Sequence, residues 1–524
     1  MARINTNVPS LVARANLQRT SNELDMRLQR LSTGLRISRG ADDPAGLIIS
    51  ERLRSDLRGT DQGIKNAERA SSVIATTEGA LSEVSDMLNS IRALIVESAN
   101  TGANSPEERR ANQLQIDSAI DSITRIANTA SFGGLKLLNG SLDYTLSGVN
   151  ASEIAKAQVF GASFMGTAQP KIDVDVLASA QRGALFVRGD YASNPAANGT
   201  LLSTQTLQIS GSRGVTEFTF PSGTNLSAIA ASINGSTAAT GVRARLINPA
   251  DLSSGLVFES SGYGSGEMIS VTRLNVVSNA ASEWQTYNIA ANGNVPDFGP
   301  PFPWATMIGA GTLAESANDK GRDVSALVNG TLATGKGLEV SVSTPALSAK
   351  LLLDETFATD PAAAVSSFYI TGGGSLFQLG PQVTAQQQTN LGIQSVAASS
   401  LGGTLVEGTI QFLNSLKEGN SNSIAASASR NDFSSASEIL DAAIDEVAIM
   451  RGRLGAFERN VLQTNVRSLQ SAFENLTASE SKIRDADFAV ETAALTRAQI
   501  LQSAGTTVLG LANQSSQQIL QLLG

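Results

Sequence analysis

Neither cysteine nor histidine occurs anywhere in this chain of 524 residues. Their absence removes the Ser-His-Asp triad, the thiol nucleophile and any zinc site built from His or Cys. Carboxylate-only chemistry survives, as in glycoside hydrolysis, and so does an oxygen-ligated calcium site. Isolated acids such as Glu283 and Asp297 are expected to be solvated rather than catalytic, so neither an enzyme nor a cofactor is expected. With no disulfides, the chain carries no redox marker of its compartment. Aromatic residues are scarce at 5%, which leaves Leu, Ile, Val and Ala to build the cores. Basic residues are outnumbered, 38 Lys+Arg against 47 Asp+Glu for a net charge of -9. Nucleic acid is therefore a poor partner, since phosphate contacts need a basic face. No run of about eighteen apolar residues is present, so no membrane span is expected. The opening MARINTNVPS lacks the apolar core of a cleaved signal peptide.

What the chain has is helical periodicity at both ends. Leu17, Leu24, Leu28, Leu31 and Leu35 recur at intervals of seven, four, three and four. Ile4, Val8, Leu11 and Ala15 repeat the spacing in a shifted phase. Far downstream, Leu501, Gly505, Val508, Ala512, Ser515, Ile519 and Leu522 alternate four and three, with Leu511 alongside. Each is the seam of an amphipathic helix that needs a partner. Isolated helices are marginal in water, so Leu11, Leu17, Leu24, Leu28, Leu31 and Leu35 are expected to form an assembly seam with Leu501, Val508, Leu511, Ile519 and Leu522. The plainer reading is a pair of ordinary helices in a bundle.

Between these ends, Asp43 and Pro44 have the chemistry of an N-cap and a first helical residue. The spacing predicts one helix from Pro44 to Ala99, its rhythm resuming one residue early at Val84, Leu88, Ile91 and Ile95. Ser105 and Glu108 predict a capping box for a next helix, with Ile116, Ile120, Ile123 and Ala127 on its buried face. FGGLKLLNG (Phe132 to Gly140) predicts a short strand between glycine turns. Composition then shifts to Gly, Ser, Thr, Asn and Ala until about Gly419. There Val242, Ala244 and Leu246, and again Leu338, Val340 and Val342, alternate as half-buried strands. NLSAIAASING (Asn225 to Gly235) and DVSALVNG (Asp323 to Gly330) precede these strands as a faint repeat, each expected to be a short helix turning through Asn-Gly. Both tryptophans, Trp284 and Trp304, fall between the repeats. The Asn-x-Ser/Thr sequons at Asn198 and Asn329 are expected to be chance. Helix resumes near Asn431, with Ser434 or Ser435 as cap. One seam runs Val447, Met450, Leu454, Phe457 and Val461, and the next Leu462, Val466, Leu469, Phe473, Leu476, Ile483 and Val490.

The expected fold class is α+β and multidomain: a coiled-coil rod of long helices from both termini, with a strand-rich central insertion. Its parts are residues 1–42, an assembly helix; 43–140, half of a helical rod; 141–430, the insertion, with modules near 200–275 and 320–400; 431–490, the other half; and 491–524, a second assembly helix.

Several stretches resemble bacterial flagellins, the subunits of the flagellar filament. Near the start these are INTNV (Ile4 to Val8), RLSTGLRIS (Arg30 to Ser38), ADDPAGL (Ala41 to Leu47), ESAN (Glu97 to Asn100) and FGGLKLLNG. Near the end they are RGRLGAFERN (Arg451 to Asn460), ESKIRDADFAVE (Glu480 to Glu491), AQILQSAGTTVLGLANQ (Ala498 to Gln514) and the terminal ILQLLG. The resemblance implies a hairpin-shaped subunit whose terminal helices line a filament. Helices Pro44 to Ala127 and Ser435 to about Asp485 would form a second shell, and the insertion would point outward. It implies swimming motility, an extracellular location reached without a cleaved leader, and self-association into a helical homopolymer. Further implied partners are an export chaperone, the cap and hook-junction proteins, and a flagellin-sensing Toll-like receptor of a host. The receptor surface would include Leu88, Ser90, Arg92, Leu94 and Gln115; Ser90 stands where activating members carry Arg, and Gln115 where they carry an acid. A hook–filament junction protein, or an adhesin displayed on the filament, is the alternative. The metallopeptidase insertion found in some members needs an H-E-x-x-H helix, which a chain without histidine cannot supply.

Overall fold

The computed structural model describes residues 6–162, 169–188, 199–201, 203–250, 254–275, 284–289, 302–406 and 408–523, with side chains through 514. Both ends are helical and the centre is strand-rich, an α+β arrangement. The helices that matter here are α1 (Val8–Thr33), α2 (Pro44–Ala99), α3 (Pro106–Thr129), α4 (Leu226–Asn234), α5 (Ser434–Phe457), α6 (Gln463–Arg484) and α7 (Phe488–Leu523). Two compact units emerge, residues 1–71, 377–389 and 457–524 forming one, and 72–376 with 390–456 the other.

Helix ends follow local chemistry. The Asp43 carboxylate accepts from the Gly46 N–H at 2.9 Å, with Pro44 first in α2. Ser105 and Glu108 cap α3 reciprocally, at 3.2 and 2.7 Å. Helix α1 stops at Gly34, whose φ of +71° suits a residue without Cβ. Helix α5 departs from expectation. The Ser434 N–H itself donates, to the Asp432 carboxylate at 2.8 Å, so the acid two residues upstream supplies the cap.

In the larger unit, Leu81, Val84, Leu88, Ile91 and Ile95 of α2 are buried, so the early resumption of the seam leaves the helix unbroken. Ile116, Ile120, Ile123 and Ala127 of α3 are buried too, as are Ile439, Ala443, Val447 and Leu454 of α5. FGGLKLLNG forms two short strands, Ser131–Phe132 and Leu135–Lys136, rather than one. Gly133 and Gly134 turn between them with φ of +57° and +88°.

The centre holds two β-sandwiches. The inner one pairs a five-stranded sheet, in the order Thr331–Leu332, Ser325–Val328, Lys171–Ala178, Ser366–Gly373 and Tyr144–Ser147, with a four-stranded sheet of Thr334–Lys336, Glu339–Ser343, Leu347–Leu353 and Ile154–Ala162. Val174, Phe368, Val340 and Leu351 meet in its core. The outer sandwich is built wholly from residues 184–320, with Leu185, Leu207, Phe258 and the α4 residues Ile229 and Ile233 in its core. The modules are therefore nested, and not consecutive near 200–275 and 320–400. Lys171–Ala178 pairs with Ser325–Val328 across the whole outer module, and alternation within a strand cannot reveal a partner so far away.

The repeat also divides. NLSAIAASING forms α4 and leads into the strand Val242–Leu246. DVSALVNG instead forms the strand Ser325–Val328, which turns through Asn329 and Gly330 at φ of +50° and +74°. Two successive positive φ values make the tight hairpin turn that Asn-Gly favours, and Asn329 Oδ1 accepts the Asp173 N–H at 2.8 Å. Both tryptophans are buried, and the Trp304 indole N–H donates to the Ser254 carbonyl at 2.9 Å. Asn198, Glu283 and Asp297 lie outside the described residues.

In the smaller unit, a π-helical turn at Glu458–Leu462 joins α5 to α6. A π-turn adds one residue to an α-helix. That explains why one seam ends at Val461 and the next begins at the adjacent Leu462. Glu458 accepts the Ser71 hydroxyl at 2.6 Å, which pins the turn to α2.

The turn makes a prediction. Deleting the exposed Asn460 should convert the π-turn to regular helix with both seams in phase, shifting monomer stability by only about 1 kcal/mol. Deleting the exposed Gln470 rotates Phe473, Leu476 and Ile483 off their face and should cost roughly 3 kcal/mol or more. Urea unfolding monitored by circular dichroism separates the two; equal losses would show that the extra residue is not a bulge.

Candidate assembly interface

Helices α1 and α7 pack along one another within the smaller unit. Ala13 is buried there, and Leu17, Leu24, Leu31 and Leu35 are half-buried. On α7 the matching stripe is Glu491, Ala498, Gly505, Leu509 and Ala512, with Glu491 and Ala498 fully buried. Ala498, Gly505 and Ala512 are small, which lets the helices approach closely at those positions. A Cβ on Gly505 would come to 3.2 Å from Leu17 Cδ1, so this crossing has almost no room for a side chain.

Polar contacts fix the register at three levels. At one end, Asn7 Nδ2 donates to the Ala512 carbonyl at 3.0 Å, and the Ser10 hydroxyl to Asn513 Oδ1 at 2.8 Å. Lower down, the buried Glu491 carboxylate receives Arg27 at 2.8 Å and Arg30 at 3.2 Å. Beyond α1, Leu35 and Asp485 form an antiparallel bridge. There the Arg36 N–H donates to the Arg484 carbonyl at 2.7 Å and the Ala486 N–H to Gly34 at 2.9 Å. Burial by itself pushes the Glu491 carboxyl up, but the two guanidiniums outweigh it and hold the group below its ordinary value. The same carboxylate raises Arg27.

The expected seam thus falls on two faces. Leu17, Leu24, Leu31 and Leu35 turn inward. Leu11, Leu28, Leu501, Val508 and Leu511 project into solvent, 45–60% exposed. Val8, Val12, Met26, Ile48, Ile49, Phe488, Val490 and Ile500 are exposed as well. Helix α7 continues through Ile519 and Leu522, whose side chains lie outside the described ones. Periodicity missed Arg27, Arg30 and Glu491, although two arginines three apart inside a leucine seam are themselves a sign of a buried acid.

The second surface lies in the larger unit. Leu88 is completely buried in the helical core and cannot face a receptor, which corrects its inclusion. Ser90, Arg92 and Gln115 are exposed and Leu94 is half-buried. Arg92 is ion-paired with Asp441, and the Ser90 hydroxyl donates to the Asp86 carbonyl at 2.9 Å. Among the described residues, no group of three His, Cys, Asp or Glu is placed to hold a metal, and no helix is long and apolar enough to cross a membrane.

Comparison with known families places this geometry in context. A model of the bacterial flagellin N-terminal helical region matches residues 4–143, and one of the C-terminal helical region matches 437–523. A flagellin hook IN motif matches 206–262, the stretch around α4. The B-type flagellin of Pseudomonas aeruginosa is 31% identical over 99% of both chains. A flagellin of Salmonella muenchen is 27% identical, again over 99% of each. Among solved structures, a flagellar hook associated protein of Legionella pneumophila is 11% identical and covers 83% of this chain and 98% of its own, with a TM-score of 0.29.

The Glu491 cluster sets an acid limit on the α1–α7 pair. Its folded-state pKa is depressed, so its stabilisation is present above the ordinary glutamate value and is lost as pH falls through the folded one. Glu491→Gln should cost roughly 3 kcal/mol at neutral pH, because two partly buried guanidiniums lose their counter-charge. It should also flatten the acid limb of stability. Hydrogen exchange of α1 and α7 amides between neutral and acid pH checks both; an acid limb unchanged in the variant would put the titrating group elsewhere.

Proposed function

The chain belongs to the bacterial flagellins, and from that we propose that it polymerises through the outward stripe of α1 and α7. It is a structural subunit of the flagellar filament, the extracellular organelle of swimming. One observation supports the proposed interface: the apolar side chains that α1 and α7 leave exposed, Leu11, Leu28, Ile500, Leu501, Val508 and Leu511 among them, share the same two helices. Large apolar side chains left exposed in such number on two paired helices are the kind of surface that protein–protein contacts cover. Contacts between unlike patches of identical subunits generate an open helix when the rotation does not close.

On this reading residues 1–42 and 491–524 are the assembly helices, and 43–140 with 431–490 form the next helical layer. Residues 141–376 and 390–430 carry the displayed insertion, while 377–389 fold with the smaller unit. An export chaperone is the proposed occupant of the stripe before assembly, and the cap and hook-junction proteins are the proposed neighbours at filament ends. No catalytic step is assigned. A junction protein is the weaker reading, because the flagellins match over nearly the whole of both chains.

Val508→Asp, or Leu28→Asp on the facing helix, should raise the critical concentration for seeded polymerisation about tenfold or more, since an unpaired charge in a closed interface costs several kcal/mol. The monomer's melting temperature should stay within about 2 °C, because both side chains are already in water. Light scattering with negative-stain microscopy reads assembly. Normal filaments from either variant would refute the interface.

The Toll-like receptor of a host is a further proposed partner, through Ser90, Arg92, Leu94 and Gln115. Leu94 is the apolar anchor, and Ser90 lacks the charge-assisted bonds that an arginine makes. Ser90→Arg should strengthen signalling by monomer roughly tenfold or more. A receptor-reporter titration in which the variant and the parent coincide would remove this surface from the proposal.

A further inference from the structure

A cavity of about 1110 Å³ opens between the inner and outer sandwiches of the larger unit. Its floor is rigid. Gly264, with φ of +106°, lies so close to the inner sandwich that a Cβ would sit 2.7 Å from Gly337 Cα. The Asp323 carboxylate joins the two modules, accepting the Ser265 N–H at 3.0 Å and the Gly337 N–H at 2.7 Å. Tyr263 donates its hydroxyl to Glu355 at 2.6 Å, and the Arg182 guanidinium lies over the Tyr263 ring at 4.3 Å. Concave sites between modules, with walls already fixed, are where ligands bind at least cost in ordering.

Two cations converge in it. Arg182 Nη1 reaches the Ser261 carbonyl at 2.6 Å, and Arg243 Nη2 approaches the same oxygen at 3.4 Å. Arg182 has Glu355 at 3.5 Å, whereas Arg243 makes no ion pair among the described residues. Arg245, two residues along the same strand, is held by Glu259 at 2.6 Å. Lys336 lines the cavity from the inner sandwich. Like charges gathered on one carbonyl favour an anion between them, and arginine forks suit a carboxylate. The rest of the lining argues against a polyphosphate. Glu259, Glu339 and Glu355 stand among the cations and would repel dense negative charge, yet they are good acceptors for hydroxyl groups. The half-buried Leu338 and Leu352 give the cleft an apolar patch that suits the face of a sugar ring.

We infer that this cleft binds an acidic oligosaccharide of the uronate type, with one carboxylate between Arg182 and Arg243 and ring hydroxyls on the glutamates. The inference concerns the insertion alone and does not depend on how the terminal helices assemble.

Calorimetry on the full-length monomer at low salt tests it, with hexagalacturonate as probe. Saturable one-to-one binding is expected, weaker by about tenfold or more in Arg243→Ala and also reduced in Lys336→Ala. Arg125→Ala, the same charge change on an exposed face of α3, should bind as the parent does. Circular dichroism confirms that each variant is folded. The inference is overturned by no saturable binding, by equal binding of the carboxyl-reduced hexasaccharide, or by equal binding of hexaglutamate. Displacement by an equal concentration of sulfate, which would mark a general anion site, also overturns it, as does unchanged affinity in Arg243→Ala.

Discussion

The contact between α1 and α7 decides how the rest of the molecule is used. Two long helices, of 26 and 36 residues, would ordinarily bury their largest apolar side chains against each other. Here the inward stripe of α7 mixes Leu495 and Leu509 with the small Ala498, Gly505 and Ala512 and the charged Glu491, and the large residues Leu501, Val508 and Leu511 are turned outward. Gly505 against Leu17 permits close approach, so the α1 leucines and the Glu491 clamp hold the pair while Leu501, Val508 and Leu511 stay out of it. Apolar area left in water remains available, at about 25 cal/mol per Å², to whatever later covers it. On the proposed interface, pairing within the subunit and association between subunits draw on different residues.

That division explains why the leucine seam was legible in the sequence but its facing was not. Leu17, Leu24 and Leu31 recur by sevens and all turn inward. Leu28 fits the same rhythm, yet the inward place beside it belongs to Arg27. An apolar-periodicity argument prefers Leu28, because it counts only apolar residues and passes over Arg27, whose partner Glu491 is more than 460 residues away. A one-residue choice on a helix is a rotation of 100°, enough to move a side chain from contact to solvent. Helix limits were easier, being set by neighbours in sequence: Asp43 and Pro44, Ser105 and Glu108, and Gly34 act within a turn of themselves.

The centre was legible as strands and illegible as modules for the same reason. Alternation in Val340 and Val342 says that a face is buried, and both are. It does not say that residues 171–178 wait for 325–328 while a complete sandwich folds between them. The second copy of the repeat shows how little separates helix from strand. DVSALVNG is shorter than NLSAIAASING, too short for a second helical turn before Asn-Gly. Its burial alternates, and a positive-φ pair then closes a hairpin. Tertiary pairing overrides so weak a local preference.

Composition also misplaced one short stretch, and the consequence reaches back to the terminal helices. Residues 377–389 lie within the Gly/Ser-rich centre by sequence, yet they fold with the smaller unit. Gly59 and Gly63 of α2 make the space. A Cβ on the first would meet Pro381 at 3.0 Å, and on the second the Leu379 carbonyl oxygen at 3.2 Å. Asn465 on α6 then donates to that same carbonyl at 2.8 Å, and Phe377 packs against Phe457 beside the π-turn. Two glycines inside a helix cost about 1 kcal/mol each relative to alanine, and they persist here because a backbone needs their surface. The unit that holds α1 and α7 is thus completed by a segment from the middle of the chain. A boundary drawn from 141 to 430 on composition cuts through its packing.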